Sequence, residues 1–265
     1  MNPHYHIIIR TCDVVYSVHQ TPRPFGLDKR SLIKLCFLSL IDALGDRNYS
    51  IHILGDKLSD EILAFFAQFP VHVSNDVLGN DESIRQGILH ALERPDSDWI
   101  YLCEDDYLYS SQAFVWIDDL ITHYHSYIDD THLKNELRFQ RGKLRKLPLV
   151  IHTPDYPDRY LTRYMRRSLI FLSRYCHWRQ ITNTTFTLLT QASTFKRYKN
   201  VFLHSTKGAN DGLLSKKLYA GMRFRNRALC LSPIPGVATH MHEEVMSPLV
   251  EWENRVQEIR KKYMQ

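Results

Sequence analysis

Four short apolar runs, HYHIIIR, YSIHILGD, PVHVSND and DWIYLCE, follow one another through the first half of the chain, and amphipathic segments separate them. That alternation is the sequence form of strands joined by crossover helices, which build a parallel α/β sheet. Between the first two runs, DKRSLIKLCFLSLIDALG carries Leu32, Leu35, Cys36, Ser39 and Ala43 near helical spacing, with Asp28 or Ser31 as its start and Gly45 as its stop. SDEILAFFAQF and DESIRQGILHALER supply the next two helices, each opened by a hydroxyl or acidic residue that suits a helix N-terminus. A further helix, SSQAFVWIDDLITHYHSYI, follows the fourth run.

The second half is less regular. Pro154 and Pro157 start TPDYPDRYLTRYMRR as a loop, because each disfavours helix at the residue before it. SLIFLSRY and ITNTTFTLLT, rich in β-branched and aromatic residues, read as strands. QASTFKRYKN and ANDGLLSKKLYA read as short helices, FRNRALCLS as a strand and SPLVEWENRVQEIRKKYM as a terminal amphipathic helix. With 265 residues the chain can bury a sizeable core without disulfides, and a single domain over 1–265 is expected.

Apolar residues make up 44% and charged residues 24%, which excludes collagen, intrinsic disorder and a multi-span membrane protein. No apolar run approaches a membrane span, and MNPHYHIIIRTCD is too short in apolar residues for a secretory signal, so a cytoplasmic protein is expected. Five cysteines without any CxxC read as buried reduced thiols. The net charge of +5 conceals a division. Residues 1–133 hold 9 Lys+Arg against 20 Asp+Glu, residues 134–227 hold 21 against 4, and residues 228–265 hold 4 against 5. The basic segment, which includes KNELRFQRGKLRK and RYMRR, suits an anionic ligand, a membrane surface or nucleic acid, and the acidic one suits a cation.

The sharpest local feature is Glu104-Asp105-Asp106, directly after WIYLC. Ligands in an open parallel sheet collect at the carboxyl ends of strands, and three adjacent carboxylates repel one another unless a divalent cation intervenes. Strand alternation would point Glu104 and Asp106 one way and Asp105 the other. A helix-capping cluster would use the same residues. Of three His-x-His pairs, His4/His6 share a strand face, His123/His125 diverge on a helix, and His240/His242 lie in GVATHMHEE after the last strand.

The strand and helix order ending in IYLCEDDYLYSSQAF, with IIIRTCD, ILGD and NDVLGNDESIRQG upstream, resembles GT-A-fold nucleotide-sugar glycosyltransferases, and the EDD spelling is most similar to enzymes of the N-acetylglucosaminyltransferase type. The resemblance implies a three-layer α/β sandwich with a mostly parallel central sheet, a Rossmann-like donor half over 1–133 and a mixed acceptor half over 134–265. It implies Mn²⁺ or Mg²⁺ on Asp106 and His240, and a nucleoside diphosphate sugar, UDP-linked by first expectation, bordered by Arg10, Thr11, Asp13, Arg85, Glu104 and Asp105. Asp211, in Asn210-Asp211-Gly212, stands where many inverting members carry the base that deprotonates an acceptor hydroxyl; an Asn-Asp-Gly turn capping a helix is the plainer reading. His177, Trp178 and Arg179 offer the aromatic and polar pattern of a sugar-binding surface, or else a strand anchored in the core by Trp178. The expected acceptor is a glycan, a lipid-linked sugar or another hydroxyl compound, suited to an anionic group, with peripheral membrane contact through the basic residues. Nucleotidyl transfer is the alternative chemistry, although RTCDVVYSVHQTPRPFG lacks its glycine-rich phosphate loop. A non-catalytic binder of nucleic acid or an anionic surface is the alternative outside enzymology.

Overall fold

The four apolar runs become strands β1 (Tyr5–Thr11), β2 (Tyr49–Asp56), β3 (His72–Asp76) and β4 (Trp99–Glu104) in the computed structural model, which describes residues 3–13, 23–130, 141–161, 168–219 and 227–264. They pair in parallel in the order β3-β2-β1-β4. Helices α1 (Lys29–Leu44), α2 (Asp60–Phe66) and α3 (Gly79–Leu92) connect them, and α4 (Ala113–Asp130) follows. The Asp28 carboxylate accepts from the Ser31 backbone N–H at 3.0 Å and starts α1, while Gly45, at φ +54°, stops it. The carboxylate of Asp56, at the end of β2, accepts from the N–H groups of Leu78 and Gly79 and so holds the start of α3.

Further along come β5 (Tyr107–Tyr109), α5 (Arg141–Leu144), β6 (Leu149–Ile151), β7 (Ile170–Leu172), β8 (His177–Gln180), β9 (Leu188–Gln191), α6 (Ala192–Arg197), α7 (Lys199–Ser205), α8 (Asp211–Leu218), β10 (Leu229–Ile234), β11 (Ala238–His240) and α9 (Trp252–Tyr263). Among the described residues the central sheet has nine strands in the order β3-β2-β1-β4-β9-β6-β10-β8-β7. Seven of them run one way, and β8 and β9 run against them, as their antiparallel pairings require. The architecture is therefore mixed α/β on a large, mostly parallel central sheet. A second sheet of two strands pairs β5 with β11 and sets His240 opposite Tyr107.

Side-chain alternation along the strands divides the core into layers. Ile7, Ile9, Tyr101 and Cys103 face α1, α2 and α4, whereas Ile8, Ile100 and Leu102 face α3, α6, α7 and α8. Leu32, Leu35 and Cys36 on the outer side of α1 pack against Trp252, Val256 and Ile259 of α9. Asp42 of α1 clamps that helix through Arg255 at 2.6 Å, and Arg255 also donates to the Tyr109 carbonyl at 2.8 Å. Cys36, Cys103, Cys176 and Cys230 are buried thiols. Among the described residues no helix is long and apolar enough to cross a membrane.

One expected strand needs correction. Only the last three residues of ITNTTFTLLT join a strand, Leu188–Gln191, because the hydroxyl-rich residues before it are committed elsewhere: the Thr184 N–H donates to the Ser215 hydroxyl at 3.0 Å, and Thr187 Oγ1 donates to Glu104 at 3.2 Å. HWRQ forms its own antiparallel strand instead.

Histidines gather beneath α3. The His52 ring lies 4.4 Å from that of His72 and 4.2 Å from that of His90, and His6, bonded to Ser50 at 2.6 Å, keeps its Nε2 buried without a partner. Burial, the nearby Arg94 and the neighbouring histidines push His6 down to about 3; burial, His90, His72 and Arg94 push His52 down to about 4. Both fall below the ordinary 6.5, so the unfolded chain binds protons first as pH drops. Stability should fall progressively as pH drops from 6.5 towards about pH 4. His240, whose pKa is raised, acts in the opposite sense. Urea midpoints across this range should drop less steeply in His52→Gln than in wild type; equal slopes would assign the acid sensitivity to other groups.

Candidate active site

β4 ends at Glu104, and the chain turns through Asp105 and Asp106 into β5, so strand alternation stops at the motif itself. Each carboxylate consequently engages a different element. Glu104 lies opposite Arg10 in the register of β1 and β4; it pairs with the Arg10 guanidinium through Oε1 and accepts from Thr187 through Oε2. Asp105 turns inward, accepting from Thr11 Oγ1 at 2.8 Å, the Cys12 backbone N–H at 3.1 Å and Lys29 Nζ at 2.5 Å. Two of the three charges thus face cations of the chain itself, Arg10 and Lys29.

Asp106 differs from its neighbours. Its Oδ2 meets His240 Nε2 at 3.0 Å, and its backbone carbonyl accepts from the Met241 N–H at 2.8 Å, so the β5–β11 pairing fixes it from both sides. Its Oδ1 is buried and has no hydrogen-bond partner. Burial opposes the charge, yet His240 and then Lys29 hold the Asp106 carboxyl well below the usual carboxylate range. Burial likewise opposes charge on His240, but Asp106 raises its pKa above the ordinary value. The His240 ring stacks on Tyr107 at 4.9 Å with a 5° interplanar angle. His242 is 5.9 Å from His240, ring to ring, and keeps a buried Nδ1 without a partner.

Arg10, Thr11, Glu104, Asp105, Asp106 and His240 therefore converge. Asp13 lies close in sequence but serves another contact: its carboxylate accepts from the Ser59 N–H and hydroxyl and from Arg30 Nε, which ties the end of β1 to the start of α2. Arg85 is exposed and paired with Glu82 at 2.8 Å; its neighbours Asn80 and Ser83 accept from Arg10 instead, each at 3.0 Å. Asp211 occupies the first turn of α8, where Asn210 caps the helix by accepting from the Leu213 N–H at 2.8 Å. Burial raises the Asp211 pKa. The preceding Gly208 N–H donates to Asp81 of α3 at 2.6 Å, and Ser215, one turn after Asp211, holds Thr184. The start of α8 is thus docked between the start of α3, which meets Arg10, and the loop whose Thr187 meets Glu104.

The three residues of β8 separate. His177 is exposed at the strand end, Trp178 is fully buried in the core beside Phe171, and Arg179 is buried in an ion pair with Asp155. Of the basic segment, residues 134–140, 162–167 and 220–226 lie outside the described residues, and with them most of KNELRFQRGKLRK and all of RYMRR. Lys29, Thr187 and Tyr107 belong to the site without having been anticipated. Lys29 offered only its position in the first turn of α1, and the contacts that bring the other two in are long-range.

Among the described residues no group of three or more His, Cys, Asp and Glu side chains is arranged to hold a metal. Asp106 Oδ1 and His240 make a two-residue donor set, and the unpartnered buried oxygen is the feature that fits a cation.

No family model and no curated protein matches this chain. Solved structures with similar topology include the galactosyltransferase LgtC in complex with donor and acceptor sugar analogues, at 12% identity and a TM-score of 0.49, covering 98% of this chain and 96% of that one. A nucleotidyl transferase from Methanothermobacter aligns at 11% identity and a TM-score of 0.46, covering 97% and 98%. A 4-diphosphocytidyl-2C-methyl-D-erythritol synthase aligns at 12% identity and a TM-score of 0.43, covering 97% of each chain. Likeness at this level assigns neither activity nor substrate.

Proposed function

We propose that this chain is a metal-dependent glycosyltransferase that moves a sugar from a nucleoside diphosphate donor to an acceptor hydroxyl. The observation that carries the reading is the buried, unpartnered Oδ1 of Asp106, held beside His240 at the carboxyl end of β4. Asp106 and His240 would hold Mn²⁺ or Mg²⁺, leaving the other coordination positions to diphosphate oxygens and water. When bound, the ion neutralises charge on the leaving diphosphate. Arg10 brings a fixed cation to the same end of the sheet, its guanidinium anchored by Glu104, Asn80 and Ser83. Asp105 is occupied by Lys29, Thr11 and Cys12, and its role is to hold the turn that aims Asp106. Asp211 is the base that takes the acceptor proton; its half-buried carboxylate is more basic than an exposed one, which suits proton transfer near neutral pH. A base acting opposite the leaving group inverts the anomeric centre. His177 and Arg179 stand on the acceptor half, with Trp178 behind them as the packing anchor.

Calorimetric titration of UDP, GDP, CDP and their sugar conjugates, with and without Mn²⁺, tests the reading. Metal-dependent binding of one nucleotide class supports it and names the donor base. Absence of binding to every member of the panel would make Glu104-Asp105-Asp106 a purely structural turn.

A further inference from the structure

A second polar cluster, which shares Arg179 with the acceptor half, is buried beside the site. Arg159 closes a 3-10 turn after β6, and its side chain is only 7% exposed. Its Nη1 donates to the Pro154 carbonyl at 3.0 Å and to Ser232 Oγ at 2.8 Å. Its Nε and Nη2 are buried and have no partner. Those two atoms form one edge of the guanidinium, the fork that meets two oxygens of a carboxylate or phosphate at once. Arg179 lies alongside, donating from Nη2 to Asp155 Oδ1 while its own Nε is buried and unpartnered. Arg159 Nη1 stands 3.9 Å from the same Asp155 oxygen, so two guanidiniums flank one carboxylate. Asp158, on the same turn, keeps a buried Oδ1 without a hydrogen-bond partner and forms an ion pair with neither arginine.

The two aspartates equal the two arginines in number, yet no carboxylate reaches the Nε/Nη2 edge of Arg159. His152, fully buried with an unpartnered Nε2, adds no further positive charge, since burial and Arg159 keep its pKa well below the ordinary value. A buried donor pair left without an acceptor is costly to the fold. Water would satisfy the free N–H groups one at a time, whereas two oxygens of one anion match the fork. The Arg159 guanidinium carbon sits 5.1 Å from the ring centre of Tyr156; the Tyr156 hydroxyl is 2.5 Å from that of Tyr107, and Tyr107 stacks on His240. The cluster is thus two stacked or bonded tyrosines away from His240, the partner of Asp106. Its cover is Tyr160, which is 46% exposed, lies over the Arg179 guanidinium at 4.5 Å and bonds to Asp155.

We propose that the Nε/Nη2 edge of Arg159, supported by Arg179, is a binding site for an oxyanion, a carboxylate or phosphoryl group, reached by displacement of the Tyr160 side chain. Assigning that anion to the acceptor rests on the transferase reading; the site itself does not. The acceptor is then an anionic sugar or a phosphorylated hydroxyl compound, fixed by its charge on one side of Tyr156 while its hydroxyl faces the donor on the other.

Titration of wild type with inorganic phosphate, and separately with acetate, in metal-free buffer tests the site and distinguishes phosphoryl from carboxylate recognition. Saturable binding is expected, retained in Asp106→Asn and weakened in Arg159→Lys by roughly tenfold or more, the loss of one charged hydrogen bond. Hydrogen exchange of wild type with phosphate should slow at 154–161 and 177–180, a readout that stands even if Arg159→Lys does not fold. No saturable binding of either anion, unchanged affinity in Arg159→Lys, or protection confined to other segments overturns the proposal. Nucleotide binding that fails while phosphate still protects 154–161 would remove the transferase reading and leave the anion site.

Discussion

Asp106→Asn is expected to lower Mn²⁺-dependent affinity for the donor nucleotide by about 100-fold or more, since even the outer partners of metal ligands are worth ~10–100-fold. The substitution keeps the shape of the side chain and the backbone bond from the Met241 N–H, so the β5–β11 pairing should persist. It removes the charge that His240 and Lys29 face. Calorimetry on the variant reads the effect directly, with circular dichroism as the control for folding. Wild-type affinity in the presence of Mn²⁺ would show that the unpartnered oxygen is not a metal ligand. A matching measurement without metal should find little difference between the two proteins.

Asp211→Asn is expected to cut sugar transfer by about 10²–10⁴-fold while donor affinity stays within a factor of about two, as removal of a general base does. Asparagine fills the same volume at the first turn of α8, and the cap supplied by Asn210 is untouched. Initial rates at saturating donor, together with donor titration, separate the proton transfer from binding. Because burial raises the Asp211 pKa, the acidic limb of the wild-type rate profile should lie above the ordinary carboxylate range. Undiminished transfer in the variant would return Asp211 to the role of a helix-start residue.

Much of the first half was legible because each of its elements is long and carries its own signal. YSIHILGD is β2 from end to end, and α1 begins after Asp28 and stops at Gly45 as its spacing and caps require. β5, β6 and β11 were not legible, since three residues are too few for a period to emerge. The strand assigned to ITNTTFTLLT failed for a different reason: β-branched residues favour extended backbone, but Thr184 and Thr187 spend their polar groups on α8 and Glu104.

The same division holds for the site. The sequence by itself determined that an acidic motif stands at the carboxyl end of the fourth strand, because local periodicity places strand ends; His240 became a candidate partner only through the family resemblance. Only the tertiary structure decided what each carboxylate does. Arg10 reaches Glu104 across the β1–β4 register, Lys29 reaches Asp105 from α1, and His240 reaches Asp106 from a strand 134 residues away. Charge compensation between groups so distant in the chain depends on packing geometry, to which local propensity is blind. For the same reason Arg159 reads in sequence as one more basic residue of a basic segment, and only burial of its unpartnered edge sets it apart.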